Sequence, residues 1–152
     1  MVEPAKNYES QYTEGEILGQ GAFGEVYLAT HKQENKKYVA KKMKIGPKPS
    51  DLMEKLKEVD LLFSMKHPNI VPYKDYFVQQ DKGLLVLVME YCECKFPVFY
   101  HFLAGDLAAQ IAKKLKAKKT FSEFEIRNWI KQLCSALEYL EGRKIIHHDL
   151  KP

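Results

Sequence analysis

The chain of 152 residues lacks long hydrophobic runs, paired cysteine motifs and any large excess of one charge, and each lack removes a class of protein. The longest apolar stretch, Leu84 to Met89, is far too short to span a bilayer. Met1 to Gln11 is polar and has no apolar segment of the kind a secretory signal needs. Three cysteines, Cys92, Cys94 and Cys134, cannot all pair among themselves, and Cys92-x-Cys94 has no second ligand pair at zinc spacing. They read as free thiols in a reducing compartment, so the expected location is cytoplasmic, with the nucleus or cytoskeleton as alternatives. No internal repeat and no low-complexity segment is visible. Lys+Arg 24 against Asp+Glu 20 leaves +4, gathered in Lys36-Lys37, Lys41-Lys42 and Lys113 to Lys119. Such runs read as solvated faces before they read as anion-binding surfaces. The aromatics do not interleave with them, so neither a nucleic-acid nor a membrane partner is expected.

What remains is ordinary globular composition, 45% hydrophobic and 29% charged, enough to bury a core. Residues 1–11 are expected to be a flexible lead-in. Glu16 to Leu18 and Glu25 to Ala29 are strand-like around a glycine turn, and Lys37 to Met43 is a third strand. Leu52, Leu56, Val59 and Phe63 recur at helical spacing after a Ser50 or Asp51 cap, and the helix should stop near Met65, before His67-Pro68. Ile70 to Phe77 and Leu84 to Met89 are two more strands, with Gln79 to Gly83 the turn between them. The order β-β-β-α-β-β is not the alternation of a parallel sheet. It predicts an α+β chain: a mostly antiparallel five-stranded sheet with one helix, followed by helices. Asp106 to Lys118 is one of these. Ser122 with Glu125 caps another, whose Ile126, Ile130, Leu133, Leu137 and Leu140 stripe is widened by Trp129 and Ala136, with Gly142 as its stop.

Four features bear on chemistry. Gly19-Gln20-Gly21-Ala22-Phe23-Gly24, with Val26 beyond it, is a G-x-G-x-x-G pattern, weak by itself. A dinucleotide fingerprint would require a helix next, and here a strand follows. A glycine turn between antiparallel strands can instead fold over a polyphosphate, because without Cβ atoms its N–H groups approach the oxygens closely. In Val39-Ala40-Lys41-Lys42, alternation puts Ala40 and Lys42 on one face. Lys42 is the expected phosphate ligand, and Ala40 leaves room for a flat base, although an isolated strand lysine is usually a surface group. Glu58 on the helix is the expected ion-pair partner of Lys42, with Glu54 as a rival one turn earlier and ordinary helix-face charge as the bland alternative. In His147-His148-Asp149-Leu150-Lys151-Pro152, Asp149 could accept a hydroxyl proton and Lys151 could neutralise a transferred phosphoryl group.

Taken in this order, the four resemble the signature set of eukaryotic serine/threonine protein kinases over about Tyr12 to Pro152. The run Gly105-Asp106-Leu107, Trp129, Gln132, Cys134, Ala136-Leu137 and Ile145 resembles the NIMA-related group. The resemblance implies ATP as the nucleotide, a protein substrate, and Gly19 to Gly24 with Val26 as the phosphate-covering loop. It makes Met89 the gatekeeper, Glu90, Tyr91 and Cys92 the adenine-binding hinge, and Asp149 and Lys151 the catalytic pair. It implies an N-lobe with hinge over residues 12–94 and the start of a C-lobe over 105–152. Residues 95–104 (KFPVFYHFLA) interrupt the pattern, as a docking insert or, preferably, as translated non-coding sequence. His148 stands where the family usually carries Arg. The family's metal-binding Asn and Asp-Phe-Gly do not follow Asp149, so the Mg²⁺ that a full-length form would bind has no ligands here. The expectation is therefore a truncated kinase with little activity alone, prone to aggregate around Trp129 and Leu133. The alternative is a non-catalytic nucleotide- or partner-binding module. The kinase reading requires Lys42 to meet Glu58 beneath the glycine flap.

Overall fold

The computed structural model describes residues 7–21, 24–91, 107–146 and 150, the side chains of 107–109 excepted. It divides into two compact units. The first holds the described residues up to Met65 together with Pro72–Tyr91; the second holds Lys66–Val71 and the described residues from 107 onward.

In the first unit, β1 (Tyr12–Gly21), β2 (Gly24–His31), β3 (Lys37–Lys44), β4 (Tyr73–Gln79) and β5 (Leu84–Glu90) form one antiparallel sheet in the order β1-β2-β3-β5-β4. A helical turn, α1 (Tyr8–Gln11), precedes it, and α2 (Pro49–Ser64) joins β3 to β4. The expected element order is present. β4 starts later than expected because the Ile70 N–H is spent on the His67 carbonyl in a turn and Pro72 has no N–H to give a ladder. Helix α2 opens two to three residues early, with Lys48 as the cap residue and Pro49 in the first turn, where its missing N–H costs nothing. The Lys48 N–H donates to Asp51 Oδ2 at 3.1 Å, so Asp51 closes the helix start from inside it.

Register sorts the sheet's side chains into two faces, because Cα partners in an antiparallel pair point the same way. Val26 pairs with Lys41 and Lys41 with Leu87, while Leu28 pairs with Val39 and Val39 with Met89. Val59 of α2 packs on this face with Leu85 and Leu87, joined by Met43, Ile45, Leu62 and Phe63. The opposite face carries Ala29, Tyr38, Ala40, Phe77, Val86 and Val88, and Tyr8 and Tyr12 complete that core. The lead-in expected to be flexible over residues 1–11 is thus built into the fold from Tyr8 onward. Tyr8 and Tyr12 are each 2% exposed and stack at 5.5 Å between ring centres. Polar composition hid this, since two aromatics spaced by four residues carry the packing.

In the second unit, α3 (Leu107–Lys116) and α4 (Glu123–Gly142) match the expected helices. Ser122 Oγ accepts from the Glu125 N–H at 3.2 Å, and Glu125 Oε2 accepts from the Ser122 N–H at 2.7 Å, as the capping pattern predicts. Lys66–Val71 docks on α4: the Lys66 N–H donates to the Tyr139 hydroxyl at 2.8 Å. His67 Nδ1 accepts from the Asn69 N–H at 3.1 Å, which leaves Nε2 to donate to Ser135 Oγ at 3.1 Å. Ala136 and Leu140 are buried, while Phe124, Ile126 and Ile130 stay exposed, so the broad stripe is covered in part. Among the described residues no helix is long and apolar enough to cross a membrane.

Candidate functional site

The glycine turn joins β1 to β2 as a tight hairpin. Gly21 pairs with Gly24, Gln20 with Glu25 and Gly19 with Val26, while Ala22 and Phe23 between them lie outside the described residues. Irregularities between Glu14 and Ile17 and between Ile17 and Gly19 add twist to β1 as it enters the hairpin. Gly24 has φ +122, and a Cβ there would collide with the Lys42 carbonyl oxygen. That glycine therefore serves both a backbone shape and a close strand approach. No heavy atom lies within 4 Å of a Cβ built on Gly21, so nothing in the described fold itself requires glycine there.

The lysine assignment needs correcting. Lys42 lies on the face away from α2: its Nζ is 2.5 Å from Glu14 Oε2, 4.6 Å from the centre of the Tyr27 ring and 5.8 Å from that of Tyr8. It does not face Glu58. Ala40 belongs to that same face and packs in one core with Tyr8 and Tyr12, whose rings take the space a base would need on that side. Alternation correctly put Ala40 and Lys42 together; what it could not say was which face α2 would cover.

Lys41 holds the place assigned to Lys42. It shares the α2-facing side with Val26, Val39 and Leu87. Burial pushes its pKa down; the Glu58 carboxylate opposes that shift and Lys55 adds to it. Glu58 also acts on Tyr73, whose pKa burial first and Glu58 second push up to about 12. A sequence signal for Lys41 did exist. Val39, Met43 and Ile45 are apolar on both sides of it in its register, whereas Tyr38 and Ala40 before Lys42 give way to Lys44 after it, so Lys41 is the lysine flanked by apolar residues in both directions.

Met89 is half-buried at the end of β5, opposite Val39 in the register, and so on the α2-facing side. Glu90 points the other way and pairs with Lys36 at 3.2 Å, while its N–H donates to the Pro72 carbonyl at 3.2 Å. Tyr91 is half-buried and closes the unit. Cys92, Asp149 and Lys151 lie outside the described residues. The first unit therefore gathers on one sheet face the buried Val26 and Val39 with half-buried Met89, an ammonium with a carboxylate nearby, and a glycine hairpin beside them. Such a face suits a flat apolar ring joined to an anionic group.

The chain matches the family model described as protein kinase domain over residues 12–152. It is 36% identical over 142 residues to the probable serine/threonine-protein kinase nek3 of Dictyostelium discoideum, covering 93% of this chain and 12% of that protein. Serine/threonine-protein kinase Nek1 of Mus musculus is 35% identical over 144 residues, covering 93% and 11%. Myosin light chain kinase A of Dictyostelium discoideum is 36% identical over 153 residues, covering 100% and 45%. The chain thus spans less than half the length of each of these relatives.

Proposed function

The chain belongs to the protein kinase domain family, with NIMA-related serine/threonine kinases among its relatives, and we propose that its first unit binds ATP with Lys41 as the phosphate ligand. The observation that supports this is the placement of Lys41 on the α2-facing side of the sheet, with Glu58 acting on its charge beside the glycine hairpin. Val26, Val39 and Met89 would take the adenine side of the nucleotide, and the Gly19–Gly24 backbone would cover its phosphates. Glu58 would hold the ammonium in place against its cost of burial. In the whole protein the reaction would be transfer of the terminal phosphoryl group to a protein serine or threonine. Asp149 would orient and deprotonate the hydroxyl, and Lys151 would offset charge on the phosphoryl oxygens. Magnesium, which the family uses, would supply further charge neutralisation when bound.

The binding site is tested with an acyl-phosphate derivative of ATP, which acylates an amine lying against the phosphates. Peptide mapping should place the label on Lys41 and excess ATP should protect it. Protected labelling of Lys42 in place of Lys41, or no protected label, would overturn the assignment.

A further inference from the structure

The face of the sheet away from α2 carries a continuous set of contacts from α1 to the glycine hairpin. α1 is fixed on several sides. Asn7 Oδ1 accepts from the Glu9 N–H at 3.0 Å, Lys32 Nζ donates to the Glu9 carbonyl at 2.6 Å, and the Glu9 carboxylate meets Gln79 at 2.7 Å and Lys82 at 2.5 Å. Tyr8 enters the core against Tyr12 and Phe77, where burial first and the nearby Glu14 carboxylate second push its pKa up. Lys42 reaches over the Tyr8 and Tyr27 rings to Glu14. The Tyr27 hydroxyl donates to Glu25 Oε2 at 2.7 Å, and Gln20 Nε2 donates to Glu25 Oε1 at 3.0 Å. Gln20 is part of the glycine hairpin, and Glu14 stands where β1 loses its regular register.

We propose that Lys42 is a positioning residue: with Tyr8, Glu14, Tyr27 and Glu25 it forms a strut that holds the glycine hairpin from its outer side at the pitch a triphosphate needs. This rests on the ATP-binding reading above and adds a role for a lysine that touches no nucleotide. β1 is an edge strand of the sheet, so fewer contacts hold the hairpin than hold the central strands. A cation between two rings and a carboxylate fixes the strand that carries it. Holding the hairpin before binding reduces the ordering cost that the nucleotide would otherwise bear.

The test uses the dilute full chain, ATP titration by calorimetry and hydrogen exchange of the Leu18–Gly21 amides. Lys42→Met should raise the ATP Kd about tenfold and speed exchange in the hairpin, while Lys42→Arg, which keeps a cation for Glu14 and both rings, recovers most of the affinity. Gln20→Ala, at an exposed position, should produce a smaller shift in the same direction without altering the melting temperature. If Lys41→Ala weakens ATP binding while Lys42→Met and Gln20→Ala leave both Kd and hairpin exchange at wild-type values, the strut is refuted and the binding reading stands. If wild-type chain binds no ATP, or Lys41→Ala changes nothing, the binding reading itself fails. Loss of affinity in Lys42→Met that Lys42→Arg does not recover would also refute the strut.

Discussion

Replacing Lys41 and Lys42 separately by Met should move stability in opposite directions, and the structure gives the reason. Lys41 sits between Val39 and Met43 in β3 and opposite Val26 and Leu87, so burial lowers its pKa, against a partial offset from Glu58. A lysine whose folded pKa lies below its ordinary 10.5 is held charged at a cost to the fold. That cost is fully present below the folded pKa and disappears as pH rises toward the unfolded value. Met keeps the length of the side chain and removes the charge. At neutral pH Lys41→Met should therefore stabilise the first unit modestly, read as a rise in Tm. Lys42 is bound to Glu14, with side chains 20% and 32% exposed, and lies over Tyr27. Solvent screens this pair in part, so Lys42→Met should lose about 1 kcal/mol. Nucleotide affinity should rank the same variants differently. Lys41→Met removes a charge-assisted contact of about 1.5–3 kcal/mol, about 10- to 150-fold in Kd. Thermal melting and ATP titration on the same preparations supply both readings. A Tm that falls in Lys41→Met and holds in Lys42→Met would mean that the two faces are assigned the wrong way round.

Gly24→Ala should destabilise by about 2–4 kcal/mol, read from the denaturant midpoint, because an L-residue at φ +122 is strained and its Cβ meets the Lys42 carbonyl. Gly21→Ala, with open space at its Cβ, should cost far less. The bond to Lys82 above all pulls Glu9 down from its ordinary 4.5 to about 2, against the opposing effect of burial. The stability this contributes is fully present above about pH 4.5 and is lost as pH falls toward about 2. Glu9→Gln should flatten that acid limb in urea midpoints measured against pH, at a cost below about 1 kcal/mol because the pair is half-exposed. Ser122→Ala should lower the stability of α4 by about 1 kcal/mol, and an unchanged melting curve for the second unit would show that the capping bonds contribute nothing.

Local rules in the sequence settled the element order, the Ser122 capping box, the glycine hairpin and the membership of each strand face. Each of these depends on residues within a few positions of one another: alternation in β3, a helical stripe in α2, a strand directly after Gly24. The structure decided what alternation cannot express, namely which face of β3 α2 covers and what covers the other. Val59, Leu85 and Leu87 drew the helix over the Lys41 side, and Tyr8 with Tyr12 sealed Ala40 and bounded Lys42 on the other. Side-chain period fixes partners along one strand. The choice of face comes from packing between segments far apart in the chain, where the balance of buried area is struck for the whole sheet at once.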